Sequence, residues 1–407
     1  MNANPSKLPP APHVIVTVSG PDRPGITATL TGILEETNSQ LLDIEQVVVQ
    51  GHLSLGMLVG VREDPGVLKE LLFAAKELGV SLDFKPVTVP SPSAPRPHHR
   101  YVITAIGPSL GAAELHALSR TLAEFDCNIS KISRLSQGDL RSVEVQVELP
   151  RGKDPLPLKE ALLRLAMRSS FDVALQPEGL FRRSKRLVVM DMDSTLIPIE
   201  VIDELARAHG VVEQVAAVTE RAMAGEMDYD ESLRTRLSLL KGMDVTVLER
   251  LAANLPLTEG AERLIRVLRR LGYRTAVISG GFSIAADSLK ARLGIDYAYS
   301  NTLEVKGGKL TGGVIGPIVN GRRKAELLET IAQAEGVLLD QVIAVGDGAN
   351  DLPMLEKAGL GIAFRAKQKL REAADTSIST GGLDSILYLL GISAQEVEEL
   401  EEALAIT

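Results

Sequence analysis

The 407-residue chain has a single cysteine, Cys127, and no tryptophan. One thiol excludes an intrachain disulfide and a cysteine-cluster zinc site. The six histidines (13, 52, 98, 99, 116 and 209) have no metal-ligand spacing. Aromatic residues make up 3%, too few for a surface on which bases would stack. A net charge of −9 runs against a general nucleic-acid binder, so an anionic substrate would need a locally positive site. No run reaches the roughly 18–20 apolar residues of a membrane span. Residues 1–12 hold one lysine and no apolar stretch of signal-peptide length, so secretion is not expected and a cytoplasmic location is. What is present is a globular composition, 45% hydrophobic and 24% charged. At about 100–200 residues per domain, the length suggests about two to four domains.

The clearest boundary is the stretch 90–99, with prolines at 90, 92, 95 and 97. Such a run fits neither a helix nor a central strand and reads as a semi-extended linker. It separates two segments of one pattern, expected as domains at 13–89 and 100–178. In the first, a β-branched run ends at Gly20. A helix at 26–36, strands at 42–50 and 52–61, a helix at 65–78 and a strand at 80–89 follow. In the second, a strand ends at Gly107. A helix at 112–125, strands at 129–135 and 142–149 around Gly138, a helix at 157–169 and a strand at 171–176 follow. Gly20 and Pro21 align with Gly107 and Pro108. Both segments read βαββαβ, the ferredoxin-like order, and an internal repeat of this length is a strong organising signal. From Arg186 strand-like runs (187–190, 275–278, 341–345) alternate with helical stretches, which predicts a doubly wound parallel sheet over 186–394. A helical insert at about 201–254 is large enough to cap a site at the carboxyl ends of the strands.

Polar residues stand at those ends. Asp191 and Asp193 follow the first strand. Two carboxylates so placed can divide attack on phosphorus from proton handling, though an isolated Asp-x-Asp is also an ordinary solvated turn. Ser279-Gly280-Gly281 follows the second and offers a hydroxyl and free N–H groups for a phosphate, or simply a glycine turn. Lys324 lies at a helix start, where it would neutralise a phosphoryl group or stand as a surface charge. Gly346-Asp347-Gly348-Ala349-Asn350-Asp351 adds carboxylates for a hard cation; a calcium loop is its rival reading. The order of the four signals, three of them at strand ends, favours one shared site.

On these motifs the segment 186–394 resembles phosphatases of the haloacid dehalogenase (HAD) superfamily, and among them the phosphoserine phosphatases. The family's Asp-x-Asp-x-Thr motif is matched by 191–195, its Ser-Gly-Gly turn by 279–281, its lysine by Lys324, and its Gly-Asp-Gly-x-Asn-Asp run by 346–351. The insert carries the narrower likeness: Glu200, Met223, Gly225, and Tyr229-Asp230 leading to Arg236, with Tyr229 where the family often has Phe. The two N-terminal segments resemble ACT domains, small modules that bind amino acids. The first carries Gly20-Pro21-Asp22-Arg23-Pro24-Gly25, like that family's ligand loop; the second keeps Gly107 but lacks the Asp-Arg-Pro-Gly string. Tandem ACT modules ahead of the phosphatase resemble the long, mycobacterial-type form.

The resemblance implies Mg²⁺-dependent hydrolysis of O-phospho-L-serine, the last step of serine biosynthesis. Asp191 would be the nucleophile and Asp193 the acid and base. Mg²⁺ would sit on Asp191, on the main-chain carbonyl of Asp193 and on Asp347, with Asp351 supporting them. Ser279, Gly280 and Lys324 would hold the phosphoryl oxygens, and Asn350 would also bind the substrate. Glu200 would take its ammonium and Arg236 its carboxylate, under a lid of Met223 and Tyr229. In the first ACT loop Gly20, Asp22 and Gly25, and in the second Gly107, would take an effector, expected to be L-serine. ACT modules usually pair, so a homodimer is expected, with neither nucleic acid nor membrane as partner. Two other readings stay open at this stage. One changes the acceptor, giving a phosphotransferase or phosphoprotein phosphatase; the other is an amino-acid sensor on an inactive phosphatase fold.

Overall fold

The computed structural model describes residues 13–61, 66–88, 98–137 and 141–405. Most of the proline-rich stretch and Gly138 lie outside the described residues. The chain forms two compact units, Met1–Arg96 and Pro97–Thr407.

The first unit runs β1 (His13–Pro21), α1 (Ile26–Glu36), β2 (Gln40–Val49), β3 (His52–Gly60), α2 (Gly66–Leu78) and β4 (Ser81–Val87). Its strands lie in the order β2-β3-β1-β4, all antiparallel. Alternation places Val14, Val16 and Val18 of β1 and Leu53, Leu55 and Met57 of β3 on one face. Ile26, Leu30 and Leu34, spaced four apart, cover that face from α1, and Leu71 does so from α2. The edge strand β2 is exposed along its whole length despite Leu41, Leu42, Ile44 and Val47–Val49.

The second unit opens with the same module: β5 (His98–Ile106), α3 (Ala112–Glu124), β6 (Asn128–Arg134), β7 (Ser142–Pro150), α4 (Leu156–Arg168) and β8 (Asp172–Pro177). The order β6-β7-β5-β8 repeats that of the first sheet. His98 and His99 pair with Pro150 and Leu149. The linker expected through residue 99 therefore gives way to strand two residues earlier, because ladder bonds to β7 outweigh the local proline-rich context.

A short helix α5 (Leu180–Arg183) leads into the large domain. There β9 (Leu187–Met190) is followed by α6 (Val201–His209), α7 (Val212–Met223), α8 (Tyr229–Ser238) and α9 (Val245–Ala253), which fill the insert. Next come α10 (Ala261–Arg270), β10 (Arg274–Phe282), α11 (Ser283–Leu293), β11 (Tyr297–Lys306), β12 (Lys309–Ile315) and α12 (Gly321–Ala334). The chain continues through β13 (Val342–Gly346), α13 (Leu352–Lys357), β14 (Leu360–Phe364), α14 (Gln368–Ala373), β15 (Thr376–Ile378), α15 (Ile386–Leu389) and α16 (Ala394–Ala405). The sheet order is β12-β11-β10-β9-β13-β14-β15, parallel except for β12. β9 and β13 are buried on both faces, which explains their unbroken apolar runs. The chain leaves β9 toward β10 and later returns to its other side at β13, so the switch of direction falls beside the carboxyl end of β9.

Three features depart from the sequence reading. The β11–β12 hairpin was not foreseen. It joins the insert by main-chain bonds: Gly242 N–H to Leu310 O (2.8 Å), Leu310 N–H to Met243 O (2.8 Å) and Val245 N–H to Gly308 O (2.9 Å). β10 runs on to Phe282, so Ser279, Gly280 and Gly281 lie within an irregular strand segment rather than beyond its end. The domain expected to end at 394 continues into α16, whose Val397 joins its core. Val397 is buried, and Glu401 pairs with Arg263 (3.1 Å) and Arg266 (2.6 Å) of α10.

The second ACT-like module is bonded to the large domain. Asp172 accepts from the N–H groups of Ser379 (2.7 Å) and Thr380 (3.1 Å). Gln176 donates to Leu389 O (3.0 Å), and the buried pair Arg182–Glu144 (2.5 Å) lies nearby. Ala394 N–H reaches Leu135 O (2.7 Å).

Candidate active site

The turn after β9 sets the site. Asp191 N–H donates to Val345 O of β13 at 2.9 Å, holding the strand end. Thr195 and Ile197 N–H both return to Met192 O, and Ser194 sits at φ +58°, a left-handed conformation that a non-glycine residue adopts at a cost. This tight reversal turns Asp191 and Asp193 into one cleft.

Asp191 Oδ1 receives Met192 N–H at 2.8 Å and lies 2.8 Å from Lys324 Nζ. Lys324 is fully buried in the first turn of α12 and also pairs with Asp351 Oδ1 at 2.6 Å. The other Asp351 oxygen accepts from the N–H groups of Asp347 (3.2 Å) and Gly348 (3.0 Å), which fixes the loop after β13. Asp193 Oδ1 accepts Val201 N–H at 3.0 Å, while its Oδ2 lies 3.5 Å from Ser279 Oγ. Gly281 N–H donates to that Oγ at 2.8 Å. Neither Gly280 nor Gly281 could carry a side chain: a Cβ would collide with the Tyr229 hydroxyl at the first and with the Asp193 carboxylate at the second.

The electrostatics follow from crowding. Burial, then the nearby Asp351, pushes Asp191 well above the ordinary carboxylate range despite Lys324. Burial, then Glu200, pushes Asp193 up to about 7. Asp347 rises to about 7 through burial and then Asp351. Lys324 is held protonated: Asp191 and Asp351 outweigh the opposing effect of burial. Ligand oxygens of Asp191, Asp347 and Asp351 converge within 4.8 Å of one another. One ammonium faces three clustered carboxylates, with Asp193 alongside. An all-oxygen set with surplus negative charge suits a small divalent cation such as Mg²⁺. Asp351 already spends both oxygens, so Asp191 and Asp347 are the better placed ligands.

The insert supplies the other walls. Tyr229, at the start of α8, points its hydroxyl at Gly280 O (3.4 Å), and burial pushes its phenol up to about 12. Arg236, two turns on, has a buried Nε with no hydrogen-bond partner. Glu200 is exposed beside the Asp-x-Asp turn and accepts from Ser194 Oγ at 2.7 Å. Asn350 is half-buried in the loop after β13. Met223 is the outlier of the set: at the end of α7 it is 64% exposed, its sulfur 3.6 Å from Lys367 Nζ beyond β14. Sequence reasoning gave no role to Thr195, which donates to Asp347 at 3.2 Å, or to Asn320, which donates to Asp230 of α8 at 3.0 Å. Thr195 belongs to the motif itself, so its place was readable; the Asn320–Asp230 contact spans 90 positions and had no local signal.

Gly20 and Gly107 lie far along the chain from this site, in the ACT-like modules. Each is packed against the residue before its module's last strand. A Cβ would come within 2.8 Å of Val80 at Gly20 and within 2.8 Å of Phe171 at Gly107. Asp22 is exposed and Gly25, at φ +97°, opens α1. The close packing is a structural demand for glycine that holds whether or not a ligand binds there.

A parallel sheet with paired carboxylates at its switch point, a buried lysine and a helical cap defines a HAD-like hydrolase. A haloacid dehalogenase-like hydrolase model matches residues 188–356, and two ACT-domain models match 12–85 and 99–176. The chain is 43% identical over 397 residues to a phosphoserine phosphatase of Streptomyces coelicolor, covering 97% of this chain and 95% of that protein. It is 42% identical over 393 residues to phosphoserine phosphatase SerB2 of Mycobacterium tuberculosis, covering 96% of each. A solved HAD-family hydrolase of Salmonella enterica serovar Typhi matches with a TM-score of 0.63 at 32% identity, over 71% of this chain and 98% of that one. The chain belongs to the phosphoserine phosphatase family, in the form that carries two ACT domains. Among the described residues no helix is long and apolar enough to cross a membrane.

Proposed function

We propose that the chain hydrolyses O-phospho-L-serine in two half-reactions on Asp191. The observation that carries this reading is Lys324, an ammonium buried between Asp191 and Asp351, which puts positive charge beside a carboxylate at a strand end. Lys324 and Met192 N–H hold Asp191 Oδ1 and so fix the plane of the carboxylate, one oxygen of which attacks. That oxygen bonds to phosphorus as the bond from phosphorus to the serine oxygen breaks. Asp193 gives its proton to the departing serine oxygen. Asp193 then takes a proton from the water that attacks the aspartyl-phosphate, and the phosphorus–Asp191 bond breaks to release phosphate. Asp191 and Asp347, with the Asp193 carbonyl, would hold Mg²⁺, which when bound neutralises charge on the phosphoryl oxygens. Ser279, Gly280, Lys324 and Asn350 bind that end of the substrate.

Arg236 takes the substrate carboxylate. Its buried, partnerless Nε supports this, since such a donor costs free energy until an acceptor arrives. Glu200, on the open side of the Asp-x-Asp turn, takes the ammonium. Tyr229 closes the inner wall, and Met223 is the residue we assign to the outer rim.

L-serine is the effector we assign to the ACT loops, Gly20 to Gly25 in the first and Gly107 in the second. The exposed apolar edge β2 of the first ACT domain supports self-association, because an unpaired edge of this length invites a second strand. The cytoplasm is the location we assign. The test is phosphate release from L-phosphoserine with Mg²⁺, with EDTA, and with Asp191→Asn, each with and without added serine. Release that EDTA and Asp191→Asn both abolish is expected. Equal release with and without Mg²⁺, or an active Asp191→Asn, overturns the mechanism.

A further inference from the structure

Asn301 is 2% exposed, stands in β11, and takes no part in the chemistry derived above. Its side-chain amide makes two short contacts in opposite directions. Nδ2 donates to Gly280 O at 2.7 Å, and Oδ1 accepts Val319 N–H at 2.9 Å. These partners fix the amide's orientation, because only the nitrogen can serve a carbonyl and only the oxygen an N–H.

The two partners belong to different walls of the cleft. Gly280 lies in the irregular part of β10 that holds Ser279. Val319 immediately precedes Asn320, the residue that caps α12 by accepting Arg323 N–H at 3.1 Å, and α12 carries Lys324. One buried side chain therefore ties the segment with the Ser279 hydroxyl to the helix with the phosphate-facing ammonium.

The Gly280 contact reaches further. A peptide unit is planar and trans, so the Gly280 carbonyl and the Gly281 N–H point in opposite directions. With the carbonyl drawn toward Asn301, the Gly281 N–H is aimed the other way, onto Ser279 Oγ at 2.8 Å. That bond holds the hydroxyl beside Asp193. Two glycines in succession leave this peptide unit free to rotate, and a segment so free needs an external hold.

We propose that Asn301 is a positioning residue for phosphoryl binding: it sets the orientation of the Gly280–Gly281 peptide and the spacing between Ser279 and Lys324. It touches no substrate itself. The inference rests on the reading that Ser279 and Lys324 bind the phosphoryl group.

The test compares Asn301→Asp, Asn301→Ala and Ser279→Ala in the full chain. Asn301→Asp keeps an acceptor for Val319 N–H but sets a carboxylate oxygen against the Gly280 carbonyl. Three quantities are read: kcat/KM on phosphoserine, kcat/KM on p-nitrophenyl phosphate, and the inhibition constant of inorganic phosphate. A melting curve accompanies each variant. The expected result for both Asn301 variants is a loss of about tenfold or more in kcat/KM on both substrates, as positioning errors give. Phosphate inhibition should weaken at least fivefold, with a cooperative melt retained. A folded variant with phosphate inhibition within twofold of wild type overturns the proposal, as does a loss confined to phosphoserine. If neither Asn301 variant folds, Asn301 is a residue of the fold alone and the proposal fails. Ser279→Ala separates the two levels. Unchanged phosphate inhibition there sinks the phosphoryl reading itself; weakened inhibition there with none in the Asn301 variants sinks only this inference.

Discussion

Asn320 and Asp230 join cap to core: the amide at the N-terminus of α12 donates to the carboxylate on α8 at 3.0 Å. Asp230 follows Tyr229, so the contact holds the tyrosine against Gly280. Asp230→Ala should raise KM for phosphoserine by roughly fivefold, the worth of about 1 kcal/mol for one such bond. Asn320→Ala should do the same and also lower unfolding stability by about 1 kcal/mol, because Asn320 caps α12. Steady-state kinetics and urea unfolding on both variants check the difference. Equal stabilities would show that the cap contributes nothing.

Arg236→Ala should weaken phosphoserine by a factor of about 30 or more in kcat/KM, the loss of a desolvated charge pair worth about 2 kcal/mol. Hydrolysis of p-nitrophenyl phosphate, which has no carboxylate, should change little. Matched losses on the two substrates would place Arg236 in the cap's structure instead.

Lys324→Met should abolish activity and also strain the fold. It leaves Asp191 and Asp351 buried without their shared counter-charge, a change that costs about 3–5 kcal/mol when one partner of a buried pair is removed. The cost should shrink at acid pH, where Asp191, already pushed above the ordinary carboxylate range by burial, takes up a proton. A urea midpoint unchanged from wild type at pH 7 would contradict the pairing.

Lys185 provides a pH test away from the catalytic cleft. Its ammonium donates to Asp340 O at 2.6 Å, and burial pulls its pKa from the ordinary 10.5 down to about 8. Below about 8 both folded and unfolded chains hold the proton, and the burial penalty is in force. Between about 8 and 10.5 the unfolded chain keeps a proton that the folded chain has released, so this group makes stability rise with pH. Lys185→Met removes that rise. The difference in urea midpoint between wild type and variant should therefore change from pH 7.5 to pH 10, in favour of wild type at the higher value. A constant difference would mean that Lys185 is well solvated.

Much of this was readable because local chemistry and global position agree. The β-branched runs ending at Gly20 and Gly107 stated both ACT repeats. The carboxylates after 187–190 and 341–345 stated the site, since a parallel sheet gathers its strand ends on one side. The β11–β12 hairpin was missed although Gly307-Gly308, both at positive φ, form the two-residue loop such a turn requires. Its strands alternate poorly because they leave the buried sheet for an open edge. The Ser279 segment was placed beyond β10 because glycines signal a stop, whereas its neighbours hold it within the strand. The holds made by Asn301 and Asn320 have no signature in sequence: each depends on residues 18 to 90 positions away.

The stitching of residues 242–245 to β12 has a mechanical consequence. The far end of the insert is bonded to a hairpin that is itself part of the central sheet. That end of the insert can leave the edge of the sheet only by giving up these main-chain bonds, so any opening of the insert there costs hydrogen bonds as well as side-chain contacts.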